Sequence, residues 1–135
     1  MAMTVLEAIH ARWAADETLV ALLPADRVST GMSAAPDLPR AVLGKMSDQS
    51  LSACNDGSQV SVIGVRIEAF HHDYSAAVAV IERLKAVLDR ADFALDTGDK
   101  VVAVRRAGDS ELQQDDGVWQ MVLDLECLVH LVPRT

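Results

Sequence analysis

The chain has 135 residues, half of them hydrophobic and 24% charged, with 20 acidic residues against 12 basic ones for a net charge of −8. That is the composition of a single globular domain, 1–135; no apolar run approaches the roughly 20 residues of a bilayer-spanning helix, and the acidic balance argues against non-specific nucleic-acid binding, which needs clustered Lys and Arg. Two cysteines, Cys54 and Cys127, make no disulfide framework, and with no basic stretch followed by an apolar run at the N-terminus the expected setting is a reducing cytoplasm.

Residues 4–15 read as a helix. Val5, Leu6, Ile9 and Trp13 recur at helical spacing, and Thr4 followed by Glu7 forms a capping box. Asp16 caps a second helical turn, Glu17 to Leu23, which Pro24 ends. Arg27 to Thr30 reads as a short strand, and Gly31 to Pro39 as a loop. Arg40 to Met46 is a second strand, with Ala41, Leu43 and Lys45 sharing one side. Ser47 to Ser58 reads as a long polar connection ending in Cys54-Asn55-Asp56-Gly57, residues that suit the positive backbone angles of a tight reversal.

The return strand, Gln59 to Phe70, changes phase. Val60 and Val62 hold one parity, while Ile63, Val65, Ile67 and Ala69 hold the other, so a bulge or bend is expected near Ile63-Gly64. Asp73 to Ala91 is the clearest helix, capped by Asp73, with Ala77, Val80, Ile81, Leu84, Val87, Leu88 and Ala91 as its apolar stripe. Phe93 to Leu95 leads to a turn at Asp96-Thr97-Gly98-Asp99. Lys100 to Arg106 is a valine-rich strand, and Ala107 to Gly117 an acidic loop. From Trp119 to Leu131 every odd position is apolar, including Cys127, while the even positions include Gln120, Asp124, Glu126 and His130. That alternation marks one long strand with a buried face and a wet face. Val122 and Leu128 interrupt the wet row: either they tuck under a neighbouring loop, or that face meets another subunit.

This order predicts an α+β two-layer domain, a mostly antiparallel sheet with one long amphipathic helix packed on it plus an N-terminal helix. The two long polar loops, 47–58 and 107–117, are where contacts to other molecules are expected.

Candidate chemical sites have simpler explanations. His71 and His72 are adjacent on a strand, so they point to opposite faces and do not converge on a metal. Cys54 has no neighbouring His or Lys to lower its pKa. Serines 47, 50, 52 and 58 lie outside any nucleophile elbow, and Gly108 and Gly117 are isolated rather than part of a phosphate loop. Asp124 and Glu126 share a strand face, as do many solvated carboxylate pairs, and Asp115-Asp116 sits in the acidic loop. The expectation is therefore no catalysis, no cofactor and no metal.

The order of elements resembles the tail-completion or tail-terminator proteins of long-tailed bacteriophages and prophages. The resemblance rests on the opening helix leading into Leu19-Val20-Ala21-Leu22-Leu23 and Arg27-Val28, and on Pro39 entering a strand. It continues through the strand Val62 to Ala69, the helix Ala76 to Leu88 with its Val87-Leu88-Asp89 end, and the Asp116-Gly117 turn before Trp119 and Met121. It implies a non-enzymatic virion protein that assembles in the bacterial cytoplasm and resides at the tail-head junction. Such proteins form a sixfold ring on a finished tail tube, stop its growth and present a surface to the head. The implied partners are further copies of the chain, the tail-tube protein and a head-tail connector, with neither nucleic acid nor membrane. The same plan also serves head-tail connector or neck proteins, and a small cytoplasmic ligand-binding or catalytic domain is the alternative of another class. Charge pattern, independently of the resemblance, makes Arg105 and Arg106, with Glu111, Asp115 and Asp116 of the acidic segment, the candidate subunit interface.

Overall fold

The Thr4 hydroxyl accepts a hydrogen bond from the Glu7 amide (3.1 Å), and the Glu7 carboxylate accepts one from the Thr4 amide (3.3 Å). This reciprocal cap starts α1, Val5–Ala15. The computed structural model describes residues 4–30, 38–53, 55–95, 98–114 and 116–133. The Asp16 carboxylate caps α2, Glu17–Leu22, by accepting from the Leu19 amide at 2.9 Å. A 3-10 turn, Ala25–Arg27, leads into the short strand β1, Val28–Thr30. There follow β2 (Arg40–Ala53), β3 (Gln59–His71), α3 (Tyr74–Leu88), β4 (Phe93–Ala94), β5 (Lys100–Gln113) and β6 (Trp119–Leu131).

The six strands form one sheet in the order β1-β2-β3-β6-β5-β4. Every pairing is antiparallel except β1 against β2. At the centre, β3 and β6 pair without interruption from Gln59 opposite Leu131 to His71 opposite Trp119. Alternation then places Val65, Ile67 and Ala69 of β3 and Met121, Leu123, Leu125, Cys127 and Val129 of β6 on one buried face. Ala77, Val80, Ile81, Leu84 and Leu88 of α3 join the same core, as do Val5, Ile9 and Trp13 of α1. Two long-range contacts fix the N-terminal helices. The Trp13 indole donates to the Leu23 carbonyl (2.9 Å), and Arg83 of α3 grips both Asp16 carboxylate oxygens at 3.1 and 2.7 Å.

Four expectations are corrected. Residues 47–53 are strand rather than loop, because β2 continues to pair with β3 as far as Ala53 opposite Gln59. Likewise β5 runs on through Gln113, so most of the expected acidic loop 107–117 is paired with β6. Both extensions are exposed on both faces, and main-chain pairing without side-chain burial leaves no alternation in the sequence. Third, β3 contains no bulge. The register shifts lie across from it in β2, between Lys45 and Ser47 and between Ser50 and Ser52. Val60 and Val62 lie on the opposite face of a strand that never changes phase. Gly64 marks the approach of the first shift, for a Cβ there would sit 2.6 Å from the Ser47 hydroxyl. Fourth, α3 ends at Leu88 rather than Ala91, because Asp89 turns extended and Arg90 takes a positive φ of 62°. Cys54, residues 31–37 of the expected loop, Asp96 and Thr97 fall outside the described residues.

Candidate assembly surface

The sheet face away from the helices carries paired charges along its middle. Arg66 of β3 donates to both oxygens of Asp124 on β6 (2.8 and 3.1 Å), and Arg105 of β5 donates to Glu126. Nearby, the Gln120 amide donates to Glu68 at 2.6 Å. The two β6 carboxylates are thus paired with separate arginines. Asp124 holds the Arg66 guanidinium charged even more firmly than usual, as Glu126 does for Arg105.

Beside this charged row the same face becomes apolar. Leu51, Val62, Ala103 and Leu128 line a shallow hollow of about 320 Å³, rimmed by Arg105 and Glu126. Leu128 therefore packs among strand neighbours of its own face, not under a loop. Leu51, at 57% exposure, is uncovered.

The two margins of the sheet are only partly covered. β1 lies against β2 over Ala41 to Leu43, and β4 lies against β5 over Lys100 and Val101. Among the described residues no strand flanks β2 beyond Leu43 or β5 beyond Val101. On the β5 side the Arg90 amide donates to the Val104 carbonyl (2.8 Å), so the open edges are β2 from Lys45 and β5 from Arg105, which present unpaired backbone donors and acceptors. On the helix side, the β5 edge is tied back to α3. Lys85 donates to Asp109, Arg106 lies 3.6 Å from the Asp89 carboxylate, and the Tyr74 hydroxyl donates to Glu111 at 3.0 Å. That bond raises the Tyr74 pKa, and the Tyr74 ring meets Trp119 edge-on with centroids 4.7 Å apart.

Of the candidate interface residues, Arg105, Arg106 and Glu111 all lie on β5. Asp116 accepts from the Val118 amide at 3.1 Å in the β5–β6 turn, and Asp115 lies outside the described residues. The basic and acidic groups thus share one edge instead of forming two separate patches. On the opposite edge β2 carries the Lys45–Asp48 ion pair (3.9 Å) and the exposed Leu51; Val62 in the second apolar phase of β3, with Leu128, was the available signal for the hollow.

Two of the four histidines have hydrogen-bond partners nearby. His71 Nδ1 accepts from the Asp73 amide (3.0 Å), with burial lowering its pKa, and His10 Nε2 bonds the Ala25 carbonyl at 2.9 Å. Among the described residues no group of three or more His, Cys, Asp and Glu side chains could hold a metal ion. Burial pushes the Cys127 thiol up to about 11. A hollow between α1 and β4 is lined mainly by Ala8, Ala11, Ala15, Val87 and Phe93. Its polar members are already engaged: Arg12 donates to the Asp92 carbonyl (2.9 Å) and Asp16 is held by Arg83. No helix among the described residues is long and apolar enough to cross a membrane.

Comparison with known proteins adds the following. The family described as tail completion protein gp17 matches residues 7–130. No curated protein matches the sequence significantly. Among solved structures, a chain from the virion of a native gene transfer agent particle superposes with a TM-score of 0.73 at 16% identity, covering 93% of this chain and 94% of that one.

Proposed function

The chain belongs to the tail completion protein gp17 family, matched from residue 7 to residue 130, and from that premise we propose that it is the non-enzymatic protein that caps the tail tube of a phage or prophage as a ring and helps join tail to head. The family match is the observation that carries this reading. The likeness to a virion chain supports the fold, and the open, charged edges suit a protein that works by docking. The whole chain, 1–135, acts as one two-layer domain, with α3 as the long amphipathic helix laid over the sheet. Assembly takes place in the bacterial cytoplasm and ends at the tail-head junction. The ring is a hexamer whose partners are the tail-tube protein below and the head-tail connector above.

A cyclic ring uses head-to-tail contacts, in which two different surfaces of each copy meet. The β5 edge, with Arg105, Arg106 and Glu111, and the turn with Asp116 are our candidates for one of them. Native mass spectrometry over a concentration and salt series, with imaging of any large species, tests the reading. A closed six-copy species that weakens with salt is expected. A chain that neither closes into rings alone nor does so when mixed with its tail tube would overturn it.

A further inference from the structure

We propose that the joint between neighbouring copies is an added β-pairing, the open edge of β2 on one copy lying antiparallel against the open edge of β5 on the next. This rests on the ring reading above and names its interface.

Direction comes first. β2, β3, β6 and β5 are successively antiparallel, so β2 and β5 run in opposite senses at the two margins of the sheet. A copy rotated about an axis roughly along the strands therefore brings β5 antiparallel to its neighbour's β2. Two different edges meet, which makes the contact heterologous and able to close a ring. Strand addition supplies main-chain hydrogen bonds without further folding.

The register follows from charge and shape. With Lys45 opposite Asp109, Asp48 falls opposite Arg106. All four point to the helix side, since their own partners are Val65, Ile63, Leu125 and Leu123. All are about half exposed in the single copy, between 47% and 55%, where Lys45 pairs with Asp48, Asp109 with Lys85 and Arg106 with Asp89, and the joint adds a second opposite charge to each. The same register sets Met46, 59% exposed, opposite Gly108, where an added Cβ would find nothing within 4 Å. Finally, β1 ends its pairing at Leu43, and on the other margin the Arg90 amide takes the Val104 carbonyl (2.8 Å), so the open stretches that match are 45–49 on one edge and 105–109 on the other. One register thus joins two opposite-charge pairs and one large-to-small contact.

The test is disulfide trapping in the full chain. In a Cys54→Ser background, Gln49→Cys with Arg105→Cys places two thiols opposite each other across the joint. Within one copy β2 and β5 are separated by three strand spacings, about 14 Å, too far for a disulfide. Mild oxidation is expected to give a covalent ladder ending at the ring size, with neither single variant passing a dimer. Rings seen by native mass spectrometry in the same sample without a ladder would overturn this joint while leaving the ring intact. Absence of rings under every condition, tail tubes included, would overturn both. Should the cysteine pair fail to fold, Asp48→Arg and Arg106→Asp decide: each alone should lower the ring population about tenfold, and the two together should restore most of it. Two additive losses without recovery would refute the pairing.

Discussion

Trp13 should be the residue on which the docking of the N-terminal helices depends most. Its ring has no solvent exposure and packs in one core with Ile9, Leu19 and Leu23, all at 1% or less. Its indole also donates to the Leu23 carbonyl, just past α2. Trp13→Ala removes a buried aromatic ring, at a cost of about 3–5 kcal/mol. Trp13→Phe keeps most of the apolar surface but leaves the Leu23 carbonyl without its donor, at a cost of about 1–3 kcal/mol. In a domain of this size each kcal/mol lowers Tm by roughly 3–5 °C, so Trp13→Ala should lose about 9–25 °C. Urea unfolding followed by Trp119 fluorescence measures both variants, and an unchanged denaturant slope would keep the comparison two-state. A loss below about 1 kcal/mol for Trp13→Ala would show that the α1–α2 unit is not built into the core and refute the reasoning.

Asp16 carries a pH signature. Its hydrogen bond from Arg83 holds its carboxyl below the usual 3.8, so its contribution is fully present above that value and fades as pH falls through the lowered one. The stability gap between wild type and Asp16→Asn should therefore be flat from about pH 5 to 7 and shrink below about pH 4; a gap that ignores pH would contradict the pairing. Cys127, buried and raised to about 11, should resist thiol reagents at pH 8 in a Cys54→Ser background until urea unfolds the chain, and prompt labelling of the native protein would count against its placement. Gly117 turns with a φ of +84°, so Gly117→Ala should cost about 1–2 kcal/mol in thermal unfolding, from backbone strain alone. Reversing Arg105 and Arg106 to Glu should weaken ring formation and alter its salt dependence as measured by native mass spectrometry; unchanged assembly would remove both from the interface.

How legible each element was depended on one-sided burial. The Thr4–Glu7 box and the Asp16 and Asp73 caps could be read because capping needs particular side chains at fixed spacings. The alternation from Trp119 to Leu131 marked β6 because one of its faces is the core. The far halves of β2 and β5 bury neither face, so Ser47 to Ala53 and Ala107 to Gln113 looked like loops although the backbone pairs throughout. Those segments make up most of the open edges, which were hidden for the same physical reason. The two apolar parities of β3 reflected two populated faces, with Val62 facing the hollow, rather than a bend. Contacts such as Arg83 with Asp16 and Arg66 with Asp124 join residues far apart in the chain, and no local pattern announces them. Arg105, Arg106 and Glu111 were legible as charges, but only the extended β5 revealed that they share one edge.

The most direct measurement is cryo-electron imaging of uncapped tubes of the cognate tail-tube protein, incubated with the purified chain and with a control lacking it. A sixfold ring of density on one end of each tube, together with an end to further tube growth, is the expected result. Bare ends and continued growth in the presence of folded, saturating protein would contradict the capping role.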